Sequence, residues 1–170
     1  MTEKNFTYHQ IGTLTSPHKE AKGMPIQPCN AKGIKGEIEL FSRYSAGLKD
    51  LEGFSHIIVI YDFNRTTGFS LQTKPFLDDN LHGVFATRAP RRPNPIGVSV
   101  LKLNAIRNNI LFVENVDMLN ETPILDIKPY VSMFDGVEAE KSGWLSGHID
   151  KAALIKADKR FEQADEDVSR

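Results

Sequence analysis

The stretch GVSVLKLNAIRNNILFVENVD, residues 97–117, decides the fold class. Its two halves, 97–106 and 109–117, are rich in β-branched residues and flank Arg107-Asn108-Asn109. Short runs of that composition around a turn tripeptide read as two antiparallel strands joined by a tight hairpin. Ile110 to Val113 are apolar at every position, so that strand is expected to be buried on both faces.

The same signature recurs on either side. TYHQIGTL (7–14), EIELF (37–41), HIIVIYDF (56–63), GVFATR (83–88) and TPILDIKPY (122–130) are short, apolar or aromatic, and bounded by turn residues. Helical periodicity is scarce. SAGLKDL (45–51) suits a turn or two, and DKAALIKADKRFEQ (150–163) is the one amphipathic candidate, with ADEDVSR beyond it expected to fray. Many short strands and few helices predict a mainly β protein: a small β-barrel with short helices and a C-terminal helical tail. The barrel is placed at 1–137, and a C-terminal extension with one helix and a frayed end at 138–170.

Composition narrows the function. The chain has 170 residues, 40% hydrophobic and 25% charged, which suits one ordinary globular domain. Cys29 is the single cysteine, so no intramolecular disulfide forms. The N-terminus MTEKNFTYHQ lacks an apolar signal core, and runs such as IIVIY (57–61) are far too short to span a bilayer. A soluble, cytoplasmic protein without a membrane partner is expected. A net charge of −1 gives no global attraction to polyanions, so any such partner needs a local patch. Neither G-x-G-x-x-G nor a P-loop is present, and AKGIKGE (31–37) has the wrong spacing. The five histidines are scattered, and no metal site is expected.

Three stretches carry candidate chemistry. In GVFATRAPRRPNPIG (83–97), Pro90, Pro93 and Pro95 stiffen a loop that presents Arg88, Arg91, Arg92 and Asn94. Guanidinium groups held in fixed directions suit bidentate recognition of carboxylate or phosphate. In TPILDIKPY, alternation puts Asp126, Lys128 and Tyr130 on one face, either lining a pocket or forming a solvent-facing stripe with an internal ion pair. In PIQPC (25–29), a second proline-stiffened loop presents Gln27, an amide able to read an adenine edge or to cap a turn.

IGTLTSP (11–17), PIQP (25–28), LEGFSHI (51–57), GVFATRAPRRPNPIG and TPILDIKPY, in this order, resemble the TsaA-like family, whose best-known members are the TrmO-like tRNA threonylcarbamoyladenosine N6-methyltransferases. The resemblance covers roughly residues 6 to 135. It implies a small β-barrel that binds S-adenosylmethionine without a Rossmann fold, as a homodimer, and methylates N6 of a modified adenosine beside the anticodon of tRNA. Carried over position by position, cofactor contacts fall on Gln27, Pro28, Cys29, Phe63, Asn64, Arg88, Val98, Glu114, Asn115, Val116 and Asp117. Arg91, Arg92 and Asn94 would face RNA phosphate or a partner subunit. Asp126, Lys128 and Tyr130 form the candidate catalytic set, with Asp126 or Asp117 accepting a hydrogen bond from the exocyclic N–H and Tyr130 orienting the base. A non-catalytic barrel binding an adenine-containing ligand, or a methyltransferase with another acceptor, are the alternatives. The chain departs from the family pattern where Ile26 and Cys29 replace an arginine and a glycine, and where Glu121 replaces a glycine before Thr122-Pro123.

Overall fold

The structure is a computed structural model that describes residues 2, 4–148, 155–158, 160 and 161. Eight strands run in chain order: β1 (Gly12–Thr15), β2 (Lys35–Leu40), β3 (His56–Asp62), β4 (Gln72–Thr73), β5 (His82–Gly83), β6 (Ile96–Arg107), β7 (Ile110–Glu114) and β8 (Thr122–Pro129). Six of them close a barrel in the order β1-β2-β7-β6-β3-β8, every pair antiparallel. β4 and β5 form a separate two-stranded ribbon. One short helix, α1 (Ser132–Asp135), follows the barrel. Among the described residues no helix is long and apolar enough to cross a membrane.

Period-two alternation builds the core. Leu14, Ile38, Ile57, Val59, Leu101, Leu111, Val113 and Ile124 point inward and are essentially sealed from water. Burying a side chain of this kind contributes about 1.5–3 kcal/mol, so this interior carries most of the stability. The hairpin forms as expected: Arg107 pairs with Ile110, and Asn108 adopts the left-handed conformation that asparagine tolerates, with φ 55°. β7 is sealed on one face only; Ile110 and Phe112 on the other are half-buried, with the Arg107 guanidinium lying 5.4 Å from the Phe112 ring centre.

The one-sided burial of β7 departs from the burial on both faces expected for Ile110 to Val113, and three further expectations need correction. GVFATR is not a strand. Gly83 ends β5, and Val84–Ala86 turn into a 3-10 helix in which both the amide and the hydroxyl of Thr87 donate to the Val84 carbonyl, at 3.1 and 2.9 Å. Val84 is buried while Phe85 and Ala86 are exposed, a pattern that a strand's alternation does not produce. TYHQIGTL contributes a strand only from Gly12, because ladder bonding starts at Ile11, whose amide donates to the Ile124 carbonyl. Most of the helix expected at 150–163 lies outside the described residues. Within it, residues 155–158 are not helical: Lys156 bridges Pro25, and backbone bonds join Ala157 to Gly23 and Met24.

In β8 strict alternation also fails. Ile60 faces Asp126 but Tyr61 faces Ile124, so Leu125 is a bulge residue. The bulge lets Ile124 and Ile127 both pack on the core while Asp126 and Lys128 face outward.

Candidate functional site

One end of the barrel opens into a cavity of about 820 Å³, within the range of small-molecule sites. Its walls come from distant segments: Gln27 and Pro28 from the first proline loop, Tyr61 to Asn64 from the end of β3, Arg88 and Arg92 from the arginine loop, and Gly97 and Val98 from β6. Asn115 and Asp117 close the far side.

Local chemistry explains how Asp117 gets there. Asn115 takes the left-handed conformation, φ 72°, and ends β7; its side-chain oxygen accepts from the Gly33 amide at 3.2 Å. Val116 then turns into the core and Asp117 turns to the cavity. Ser99, on the inner face of β6, donates to the Asp117 carboxylate at 2.7 Å, and the Tyr61 hydroxyl lies 3.3 Å from the Ser99 oxygen. Gly97 makes room for this chain: a Cβ there would stand 2.2 Å from the Tyr61 ring, which no side chain allows.

The electrostatics follow from burial. Loss of water pushes the Asp117 carboxyl up to about 6, against the Ser99 hydrogen bond, its own backbone and the Arg88 charge, which favour ionisation. Burial, reinforced by Asp117, also raises the Tyr61 hydroxyl above its ordinary range. Tyr61 is therefore a neutral donor at physiological pH, whereas Asp117 titrates close to it. Arg88 is exposed at the mouth, and its guanidinium donates to the Gln27 side-chain oxygen at 2.8 Å. A cation, an amide, a carboxylate, an aromatic ring at Phe63 and an apolar wall at Val98 thus converge on one space.

Residues 13–136 match the family model described as the tRNA-methyltransferase O N-terminal domain.

The chain belongs to this family.

A probable S-adenosyl-L-methionine-binding protein of Pyrococcus abyssi is 50% identical over 91% of the chain and 84% of its own length. The tRNA (adenine(37)-N6)-methyltransferase of Escherichia coli is 37% identical over 94% of the chain and 77% of its own length. The crystal structure of TrmO from Pseudomonas aeruginosa superposes with a TM-score of 0.70 at 33% identity, covering 83% of this chain. The chain spans 63% of that solved chain.

For this member of the tRNA-methyltransferase O N-terminal domain family, the structure sorts the residues read from sequence. Gln27, Pro28, Phe63, Asn64, Arg88, Val98, Asn115 and Asp117 all line the cavity. Cys29 follows Pro28 in the 3-10 helix Pro28–Asn30. Glu114 and Val116 do not line the cavity: Glu114 accepts from Asn104 and pairs with Lys102 at 3.8 Å, and Val116 is sealed in the core. Glu114 ends β7 on the face opposite buried Val113, and the left-handed Asn115 then breaks the alternation and turns Val116 inward.

Asp126, Lys128 and Tyr130 are not brought to the cavity. Lys128 pairs with Asp126 at 2.6 Å on the outer face of β8, both partly exposed, so the solvent-facing stripe is what forms. Tyr130 packs edge-on against His56. The arginine loop splits. Arg92 lines the cavity but folds back, its guanidinium donating to the Thr87 and Ala89 carbonyls at 3.2 and 3.3 Å. Arg91 is buried and lines a second cavity. Asn94 is exposed and lines neither.

Sequence reasoning missed Tyr61 and Ser99, and it missed the opposite wall of Met24, Phe76, Ala157 and Phe161. Ser99 was signalled: it is polar at the same strand parity as Leu101. Arg65 carried no signal. It closes the rim by donating to the Lys19 and Asn120 carbonyls at 2.9 and 2.8 Å.

Proposed function

We propose that the chain is an S-adenosylmethionine-dependent methyltransferase acting on N6 of an adenine in tRNA, the threonylcarbamoyladenosine beside the anticodon, in the cytoplasm. The observation that carries this reading is the cavity at the barrel end, where Gln27, Phe63, Arg88, Val98 and Asp117 converge in a chain of this family.

The residues present fit the cofactor. Its α-carboxylate suits Arg88 and Gln27, and its adenine suits Phe63 and the apolar wall. When bound, S-adenosylmethionine supplies an already activated methyl group. What remains for the protein is alignment and proton handling. Asp117 is the group positioned to handle the proton. Ionised above about pH 6, it accepts the N–H of the acceptor amine and so raises the density on nitrogen. The Ser99 hydroxyl holds one carboxylate oxygen in place, and neutral Tyr61 backs Ser99.

The sheet surface at the cavity's edge supports a homodimer. On the outer face of β3, between His56 and Asp62, Ile58 and Ile60 lie opposite Val100 and Val98 of β6. Val98 is 54% exposed, and this apolar face suits a second copy of the chain. Light scattering at micromolar concentration should give twice the chain mass; a monomer removes the claim.

The decisive experiment incubates the protein with bulk tRNA and labelled S-adenosylmethionine and identifies the labelled nucleoside. Label on an N6-modified adenosine supports the reading. Cofactor held stoichiometrically without transfer would replace it with a binding module.

A further inference from the structure

A second cavity, of about 390 Å³, lies next to the first, and Phe161 lines both. Its wall carries three cations, Lys74, Arg91 and Arg160, against one carboxylate, Asp79. Hydroxyl and amide groups of Ser70, Thr73 and Gln72 complete it. In a chain of net charge −1, that lining holds more cationic than acidic side chains.

The cations are delivered by three segments far apart in sequence. Lys74 follows directly after β4, so the β4–β5 ribbon places it. Arg91 comes from the proline loop, whose backbone is tied to the ribbon by the Ser70 amide donating to the Arg91 carbonyl at 3.5 Å. Arg160 is held by the Pro75 carbonyl at 2.7 Å, by the Asp158 carboxylate at 2.8 Å and by the Phe76 ring, 5.0 Å from its guanidinium carbon. These partners do not exhaust its five N–H donors. A guanidinium pinned in this way loses little freedom on meeting an anion.

We propose that this second cavity holds a backbone phosphate of the RNA strand whose adenine enters the first cavity. The proposal rests on the tRNA-acceptor reading above and specifies where the strand runs. The occupant follows from the adjacency. The shared wall at Phe161, packed edge-on against Phe76 at 5.0 Å, is an aromatic surface on which a base stacks. The cationic cavity shares that wall.

The test is a titration of the intact protein with bulk tRNA between 50 and 200 mM KCl, monitored by fluorescence anisotropy. Lys74→Ala is the main variant, because Lys74 is exposed and its loss leaves the core untouched. Affinity should fall about three- to tenfold at the low-salt end, and the slope of log K against log salt should become shallower by about one. Lys74→Arg should restore both. Lys49→Ala, at an exposed lysine that lines neither cavity, should behave as the parent.

The proposal is overturned if the parent binds no tRNA, if Lys74→Ala keeps the parent's affinity and slope, or if Lys49→Ala loses as much. It is overturned equally if inorganic phosphate raises the parent's melting temperature through Lys74 while tRNA affinity ignores that residue, because the cavity then takes free phosphate. Calorimetry with S-adenosylmethionine reads the first cavity separately. Absent cofactor heat, or absent methyl transfer, with the Lys74 dependence of tRNA binding intact, is a failure of the methyltransferase reading alone.

Discussion

The middle of the barrel and its open end are built from the same strands, yet they obey different rules. In the middle, Leu14, Ile38, Ile57, Leu101 and Leu111 meet in a dry aliphatic layer without polar atoms. At the open end the same inward face of β3 and β6 carries Tyr61 and Ser99, which lead to Asp117. The middle gains stability from every residue. The end holds a carboxylate that burial disfavours in its charged form, and the dry layer below it supplies the stability that lets it persist.

The sharpest way to break this comparison is Leu101→Ala. The side chain is fully buried, and truncation should cost about 2–5 kcal/mol, with the melting temperature falling about 4–20 °C. Cofactor affinity of the folded protein should stay at the parent value. If affinity falls as much as stability, the two regions are not separable.

Arg88→Ala should do the opposite. Losing a charge-assisted hydrogen bond worth about 1.5–3 kcal/mol weakens S-adenosylmethionine binding roughly ten- to hundredfold by calorimetry, with the melting temperature nearly unchanged because Arg88 is exposed. Arg91→Ala is the counterpart three residues on. Arg91 is only 9% exposed, so its loss should lower the melting temperature while cofactor affinity holds.

Asp117 gives a pH test whose sign follows from linkage. Between about pH 4 and 6 the native carboxyl keeps its proton while the unfolded one has lost it, so stability falls as pH rises through that window. Asp117→Asn should flatten this decline and gain on the order of 2 kcal/mol at pH 7 in urea titrations. The same substitution should remove the ascending limb near pH 6 from the methyl-transfer rate profile. A decline that survives the substitution would place the titrating group elsewhere.

The smallest effect is expected at Glu121, which holds a left-handed φ of 67°. Its partner Arg65 lies 3.6 Å away, but both side chains are exposed and the pair contributes little. Glu121→Gly relieves strain of about 1–2 kcal/mol and gives back part of it as unfolded-chain entropy, so chemical denaturation should show a net gain of about 1 kcal/mol or less.

The two regions also differ in how legible they are from sequence. The barrel is readable because each strand repeats its choice every second residue, and because turn residues such as Asn108 need no partner to declare themselves. The open end is assembled by loops. Gln27, Phe63, Arg88 and Asp117 are recognisable through the strings they belong to, but nothing local places them around one space. GVFATR misleads because Val84 satisfies an apolar pattern while Thr87 bends the backbone into a helical turn. Asp126 and Lys128 mislead because adjacent opposite charges resemble a site and form a surface pair. Phe161 and Arg160 were hidden by helical periodicity around 150–163, although the described residues 155–158 pair with the first loop through backbone bonds.

Arg65 donates its hydrogen bonds to main-chain oxygens at Lys19 and Asn120, with the Glu121 carboxylate 3.6 Å away. Every amino acid offers the same carbonyl, so the rim does not register which side chain stands at position 19. A saturation scan should show position 65 intolerant and the exposed position 19 nearly indifferent. Side chains in the loop after Ser16-Pro17 can then be exchanged while the opening keeps its shape.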